Sequence, residues 1–331
     1  MLCIWAGWRL SERVGWPGWY ALLLLVPFVS LFFLFALLLD ALRKAGRNQC
    51  LVLLAFIPFV APVMLFALTF SHWPERIVSQ PESPAPSFAD WREGIAWGTR
   101  EVVQGVALGG TAVIFIPVTA ALIAKVAGMD ICLGGVCSDE GRRNLVRVSL
   151  VASLPFEAAL FAIVVALTVF KYHSRWSDLG FRPLALSRAW VPAVVVIGAF
   201  VAVEAYAIVA DAIGGNKFLP KSTLGEDVFD EKAFVVLAGI LALAMAPLVE
   251  ETFFRGFVFG GLSKRFSFLG AALISGFLFS LAHGQPTTLI PFTVVGMLFA
   301  AGYAYTGSLW TTIAAHFTFN LISFTVTLAT R

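Results

Sequence analysis

The stretch Glu250-Glu251-Thr252-Phe253-Phe254-Arg255 places three charged residues inside an apolar run that extends from Ala233 to Gly261. Such a run is long enough to cross a bilayer as a helix, which takes about 20 residues. From Ala233 to Arg331, the acidic residues are Glu250 and Glu251 alone. A charge at membrane depth costs about 2.5–3.5 kcal/mol on insertion scales, so the pattern predicts a functional role for these carboxylates.

The composition is that of a protein that crosses the membrane several times. Of the 331 residues, 59% are hydrophobic and 13% are charged, and the mean hydropathy is +0.87. Soluble domains carry about 25% charged residues, roughly twice the fraction found in this chain. The sequence lacks a basic cluster interleaved with exposed aromatic residues, so we expect the lipid bilayer, and no nucleic acid, as a partner.

Apolar runs of about 18 residues or more mark the candidate membrane spans. By residue number, they cover 16–39, 49–70, 102–127, 145–170, 190–213, 233–261, 266–283, 288–305 and 308–330. The predicted fold class is therefore all-α, a polytopic transmembrane helix bundle of about 8–9 spans. Basic loops flank the fourth span on both sides, so the positive-inside rule leaves the membrane orientation open.

Two features in the middle of the chain have alternative interpretations. Cys132 and Cys137 bracket a glycine-rich loop. They form a disulfide if this loop faces an oxidising compartment and remain free thiols otherwise. Glu157 lies inside the fourth span, where it either pairs within the bundle or lies near an interface, and a structural role is the preferred interpretation.

The spacing within residues 250–255 predicts that one of the two carboxylates pairs with a cation and the other does not. Residues four apart share a face of a helix, so Glu251 and Arg255 are expected to pair and to lower the cost of burying both charges. Glu250 lies about 100° further round the helix and is left without a local cation. A carboxylate in that position is a candidate general base.

Two later segments add the other polar groups that a hydrolytic site needs. His283 ends one apolar segment, and His316 and Asn320 lie four apart in the last one. A base, two imidazoles and an amide donor suffice to deprotonate a water molecule and to hold a developing oxyanion. Each residue alone could equally be structural, but together they are the main polar groups of a tract almost free of charge. No serine or cysteine takes a comparable position, so a covalent intermediate is the weaker hypothesis.

Three motifs thus follow one another along the C-terminal helices: Glu-Glu-x-x-x-Arg at 250–255, Phe-x-x-x-His at 279–283 and His-x-x-x-Asn at 316–320. In this order they resemble the CAAX protease and bacteriocin-processing family of glutamic intramembrane endopeptidases, which is related to the type II CAAX prenyl endopeptidase. The connector Asp178–Pro183 resembles a loop that the family carries upstream. The resemblance covers residues 145–331, interpreted as the catalytic membrane domain, and residues 1–144 are interpreted as an N-terminal extension with about three spans.

The resemblance implies peptide-bond hydrolysis by a helix bundle with a conical catalytic cavity among its C-terminal helices. It also implies a role for each motif residue. Carried over, the general base is Glu250, its partner in activating water is His283, the oxyanion donors are His316 and Asn320, and the supporting residues are Glu251, Arg255 and Phe279.

The expected mechanism uses no cofactor. Glutamate and histidine are also zinc ligands, so a zinc-dependent reaction is the alternative. The sequence lacks His-Glu-x-x-His, however, and its candidate ligands are spread over three helices. We therefore prefer a glutamic mechanism without metal.

The expected substrate is a membrane-anchored or lipidated protein, cleaved within or at the edge of the membrane. Two other functions remain open at this stage. One is a non-catalytic immunity or scaffold protein of the same fold, and the other is a proton-coupled transporter that uses Glu157, Glu204 and Glu250 as an ion path. The expected location is the cytoplasmic membrane of a bacterium, with several membrane passes.

Overall fold

The computed structural model describes residues 2–15, 37–38, 41–42, 88–134, 137–214, 217–220 and 226–330. The spans predicted at 16–39 and 49–70 lie outside the described residues, apart from residues 37–38. The chain divides into two compact units, Met1–Pro86 and Ser87–Arg331. In the first unit, helix α1 spans Leu2–Val14.

The second unit consists of helices over its described residues. They are α2 (Phe88–Gly94), α3 (Thr99–Val126), α4 (Asp139–Phe170), α5 (Val191–Gly214), α6 (Lys232–Ser263), α7 (Phe268–Ala282), α8 (Leu289–Thr306) and α9 (Leu309–Ala329). Of these, α3, α4, α5, α6, α8 and α9 are long and apolar enough to cross a membrane. The predicted fold class, an all-α polytopic bundle, is confirmed, and the chain is a multi-pass integral membrane protein.

Two details differ from the sequence-based expectation. Helix α7 has 15 residues, fewer than the span predicted at 266–283. It begins after Ser267, whose hydroxyl oxygen accepts a hydrogen bond from the amide of Gly270, and Gly284 follows its end with a left-handed φ of 65°. The third predicted span, α3, lies in the same compact unit as the C-terminal helices, whereas the sequence grouped it with the N-terminal extension.

Helices α7 and α8 touch through their backbones at two glycines. A Cβ added at Gly276 would lie 2.6 Å from the carbonyl oxygen of Thr293, and one added at Gly296 would lie 2.6 Å from the Cα of Gly276. Small residues allow such close approach between helices in a membrane. The contact also positions the Gly296 carbonyl oxygen 3.3 Å from Nη2 of Arg255.

Replacing Gly276 by Ala is expected to destabilise the protein by about 1–3 kcal/mol, because the added methyl group meets backbone atoms that cannot turn away. Gly110 is the matched control, since it also lies in an apolar helix and a Cβ there meets nothing within 4 Å. Thermal unfolding of both variants in detergent micelles measures the difference. Equal unfolding temperatures for Gly276→Ala and Gly110→Ala would contradict the proposed helix contact.

Helix α6 contains two π-helical segments, Leu241–Met245 and Thr252–Phe259, which flank the two glutamates. Hydrogen bonds in a π segment run from i to i+5, and such segments often mark functional sites. Side chains of neighbouring elements donate to carbonyl oxygens in these segments: Asn320 to Ala242 at 2.7 Å, Ser275 to Phe254 at 2.7 Å and Trp97 to Phe257 at 2.9 Å. In the π register, the Ala242 carbonyl oxygen would accept a hydrogen bond from the amide five residues on. That residue is Pro247, which has no N–H, and the side-chain amide of Asn320 donates instead.

The connector between α4 and α5 lies over the junction of α8 and α9. The hydroxyl of Tyr303 donates to the Leu179 carbonyl oxygen at 3.0 Å, and the amide of Leu309 donates to the Gly180 carbonyl oxygen at 2.8 Å. Gly180 adopts a left-handed φ of 99°. The connector therefore fixes the start of α9, the helix that carries His316 and Asn320.

The loops at the two ends of the bundle carry ion pairs and one disulfide. Cys132 and Cys137 are joined by a disulfide in the loop between α3 and α4, which selects one of the two alternatives. Lys171, just after α4, binds Glu101 at the start of α3 at 2.7 Å, and this hydrogen bond raises the pKa of Lys171.

Candidate active site

Glu251 is completely buried and links two helices. Its Oε1 accepts a hydrogen bond from Nη1 of Arg255, one turn along α6, at 2.9 Å. The same oxygen lies 2.9 Å from Nδ1 of His316 on α9. The predicted ion pair between Glu251 and Arg255 is therefore present, and His316 completes a buried group of three polar side chains.

The contact with Glu251 determines what His316 is able to do. An ionised carboxylate only accepts hydrogen bonds, so the proton between the two groups belongs to Nδ1 of His316. In a neutral ring, Nε2 is then an acceptor, and it becomes a donor only in the imidazolium form. An oxyanion-binding role requires that form, with Nε2 as the donor.

Arg255 is also fully buried, and its guanidinium group contacts several parts of the bundle. Besides Glu251, it binds the Gly296 carbonyl oxygen and lies over the rings of Phe279 at 4.4 Å and Phe299 at 5.1 Å. A planar cation that bridges a carboxylate and stacks on aromatic faces is a use specific to arginine. Arg255 thus ties α6 to α7 and α8 below the glutamates.

Phe279 lies between the two imidazoles. Its ring centroid is 4.8 Å from that of His283 and 5.8 Å from that of His316, both in edge-to-face geometry. It is itself buried against the Arg255 guanidinium. The structure therefore brings Phe279 and both histidines together, and the shaping of a substrate pocket by Phe279 stays a prediction.

His283 follows directly on the last residue of α7 and is partly exposed. Its Nδ1 lies 2.9 Å from the carbonyl oxygen of Phe279. Because a carbonyl oxygen only accepts, Nδ1 carries the proton and Nε2 of the neutral ring keeps a free lone pair. That tautomer accepts a hydrogen bond from water, as a group that orients the attacking water must.

Glu250 is partly exposed, and its Oε2 has no hydrogen-bond partner among the described residues. The sequence predicts that it lacks a nearby cation. Glu250 forms no ion pair within the described part of the chain, but it lies within electrostatic range of Arg255, five residues further along α6. Within the same limits, no hydrogen bond connects Glu250 to His283.

Asn320 lies one helical turn beyond His316 and is partly exposed. Its Nδ2 donates to the Ala242 carbonyl oxygen at 2.7 Å. This contact fixes the amide while leaving it a second N–H. The predicted role as an oxyanion donor therefore remains chemically possible and stays a prediction.

The segment that carries these residues matches a known protein family. Residues 232–322 match the model of the type II CAAX prenyl endopeptidase, Rce1-like. Over these residues, the chain is similar to the CAAX protease family. The match begins with α6 and ends in α9, so it contains all three motifs.

A curated relative matches a segment of similar length. It is the "Putative membrane peptidase YdiL" of Bacillus subtilis (strain 168), 34% identical over 93 residues, which are 28% of this chain and 38% of that protein. The chain thus matches well under half of the relative's length. No solved structure matches the chain.

Two acids outside the three motifs have different environments. Glu204 is exposed on the outer face of α5, whereas Glu157 is buried on α4. The ion path that the sequence suggested through Glu157, Glu204 and Glu250 would need all three inside the bundle. The exposure of Glu204 removes one member of that path.

The donor set around Glu251 does not converge on a common point for a metal ion. Its Oε1 is already bound to Arg255 and His316. Within the residues that the structure describes, no group of three His, Cys, Asp or Glu side chains is arranged to hold a metal ion. The choice between a glutamic and a zinc-dependent reaction stays a prediction.

The three motifs do not predict the buried contacts that support them. The glycine pair of α7 and α8 and the hydroxyl of Ser275 both lie in apolar segments without a motif. Small residues within an apolar helix are a signal of close helix packing, and they could have pointed to this contact.

Proposed function

We propose that this chain is an intramembrane endopeptidase in which Glu250 activates water for attack on a peptide bond. One observation carries the proposal: of two adjacent glutamates in the same helix, Glu251 is engaged by Arg255 and His316, while Oε2 of Glu250 is unpartnered. The engaged carboxylate organises the site, and the unpartnered one is available as a base. The family match and the relative's name support a peptidase of this kind.

In the proposed reaction, Glu250 accepts a proton from water while His283 orients the water through Nε2. The oxygen of the resulting hydroxide bonds to the carbonyl carbon, and the carbonyl π electrons move to oxygen. His316, as imidazolium, and the second amide N–H of Asn320 donate to this oxyanion. Glu250 then returns the proton to the leaving nitrogen, and the C–N bond breaks.

We further propose that the substrate is a membrane-anchored or lipidated protein. A site built from α6, α7 and α9 lies inside a helix bundle in the bilayer, so a substrate that is itself held in the membrane has the shortest way to reach it. The bacterial relative supports a location in the cytoplasmic membrane of a bacterium. The reaction needs no metal ion in this proposal.

A comparison of protein termini in membranes tests the proposal and identifies the substrate. Membranes from cells that express the wild-type chain, Glu250→Ala or Glu204→Ala are analysed by mass spectrometry for new termini. We expect at least one membrane protein to carry a new terminus with the wild-type chain and with Glu204→Ala, but not with Glu250→Ala. Identical termini in all three samples would refute the protease.

Replacing Asn320 by Ala is expected to lower kcat by about 10²–10³-fold with a small change in KM, because an oxyanion donor acts in the transition state. Thr318→Ala is the control, since Thr318 lies on the same helix and its hydroxyl only donates to its own helix, to Ala314, at 2.8 Å. Kinetics on the identified substrate measure the effect. A rise in KM at constant kcat would assign Asn320 to substrate binding instead.

A further inference from the structure

Glu157 is a buried acid that the proposed reaction does not use. It lies on α4 with 5% of its surface exposed, and its Oε2 has no hydrogen-bond partner among the described residues. Burying a carboxyl group without a partner costs free energy, so a buried acid in a membrane helix is a candidate functional residue.

Helix α4 packs along α6 in the region of the two glutamates. The carboxyl group of Glu157 lies within electrostatic range of Glu250. The residues around Glu157 on α4 that pack into the bundle, such as Leu160 and Phe161, are apolar. Glu157 and Glu250 therefore lie on two helices that pack together, and each has one buried carboxylate oxygen without a hydrogen-bond partner among the described residues.

Other charges on the elements packed against α4 are engaged elsewhere or lie at its ends. Within the described residues, the charge that acts on Glu157 is that of Glu250. Among the residues whose side chains the structure describes, the remaining charged ones on those elements and on the ends of α4 are Arg100, Glu101, Lys125, Asp139, Glu140, Arg142, Arg143, Arg147, Lys171, Asp230, Glu231, Lys232, Glu251 and Arg255. Of these, Glu101 binds Lys171, Glu231 binds Arg147 and Glu251 binds Arg255.

We propose that Glu157 and Glu250 form a carboxyl pair that holds one proton, with Glu157 as the protonated member that positions the ionised Glu250. Two ionised carboxylates repel strongly in apolar surroundings, so such a pair retains one proton. Glu157 is the more deeply buried of the two, which favours the proton on that side. Its O–H donates to one oxygen of Glu250 and leaves the other to accept a proton from water.

This inference rests on the proposed role of Glu250 as the base, and it makes Glu157 a positioning residue. Glu157 lies more than ninety residues before Glu250, so no local motif connects the two acids. The sequence alone favours a structural role for Glu157, and the proposal assigns it a role in preparing the base instead.

Infrared spectroscopy on the purified full-length protein in lipid nanodiscs tests the shared proton without a substrate. The carbonyl stretch of a protonated carboxyl group is distinct from that of a carboxylate. At neutral pH, we expect the wild-type protein to show a protonated carboxyl band whose intensity falls by one group in E157Q and is unchanged in E204Q, the exposed acid on α5. A protonated carboxyl band of equal intensity in the wild-type protein and in E157Q would contradict the proposed carboxyl pair.

Kinetics on the substrate found by the terminus comparison test the positioning role. Gln keeps the size of protonated Glu157 and still donates a hydrogen bond, whereas Leu does not. We therefore expect E157Q to keep most of the wild-type kcat and E157L to lower kcat by about tenfold or more at similar KM. A purely structural role would instead lower the unfolding temperature without separating kcat from KM.

The outcomes separate this inference from the proposed function. If E250Q abolishes cleavage while E157L cleaves like the wild-type protein, the carboxyl pair is wrong and the protease stands. If E250Q cleaves normally, the proposed function fails, and the infrared comparison still decides whether the pair exists. Should E157L fail to fold, the E157Q infrared and kinetic results decide alone, and a kcat for E157Q reduced by about tenfold or more overturns the positioning role.

Discussion

Replacing Glu250 by Gln lowers kcat by about 10²–10⁴-fold in our account, the usual contribution of a positioned general base. The amide has the shape of the carboxyl group but does not accept a proton from water. Because Glu250 forms no ion pair within the described residues, the variant should fold as the wild-type protein does. Steady-state kinetics and thermal unfolding of the purified protein measure both effects.

Glu204→Gln is the matched control for this substitution. It makes the same chemical change in another membrane helix, on the exposed face of α5. We expect it to leave kcat and KM near the wild-type values. A kcat for Glu250→Gln within about tenfold of the wild-type value would rule out Glu250 as the base.

The second large effect is expected on stability. Arg255→Met should destabilise the protein by about 3–5 kcal/mol, because it leaves the buried Glu251 carboxylate without its guanidinium partner and with His316 as its remaining contact. Both side chains of this pair have no exposed surface. Unfolding by denaturant in mixed micelles measures the change, and the expected loss is a large fraction of the stability of a typical domain.

Two further variants show whether the loss comes from the unpaired charge. Adding Glu251→Gln to Arg255→Met should recover part of the stability, since it removes the uncompensated carboxylate. Arg147→Met is the control, because its ion pair with Glu231 is partly exposed and is worth about 0–1 kcal/mol. Equal losses for Arg255→Met and Arg147→Met would mean that the buried ion pair contributes little.

Much of the bundle could be predicted from the sequence because a membrane imposes strong rules. Apolar runs of sufficient length must be helices, so the positions of α3 to α6, α8 and α9 followed from hydropathy. The pairing of Glu251 with Arg255 followed from their spacing of four residues within one helix. The end of α7 before His283 could not be predicted in this way, because it depends on the left-handed conformation of Gly284.

The contacts between helices could not be predicted from the sequence. Spacing shows which residues share a face of one helix, but not which face meets a neighbouring helix. The contact of His316 with Glu251 and the approach of Glu157 to Glu250 both depend on how α9 and α4 pack against α6. The π segments of α6 also shift the side chains that follow them, and no motif predicted that shift.

Our central claim is that Glu250 activates a water molecule that attacks the peptide bond, and that Glu250 does not attack the bond itself. Single-turnover cleavage in heavy-oxygen water, with enzyme in excess over the identified substrate, tests this most directly. Mass spectrometry then locates the heavy oxygen. Our account predicts it in the new carboxyl group of the cleaved product and not in the enzyme peptide that contains Glu250. Heavy oxygen in the side chain of Glu250 would show a covalent intermediate and contradict the account.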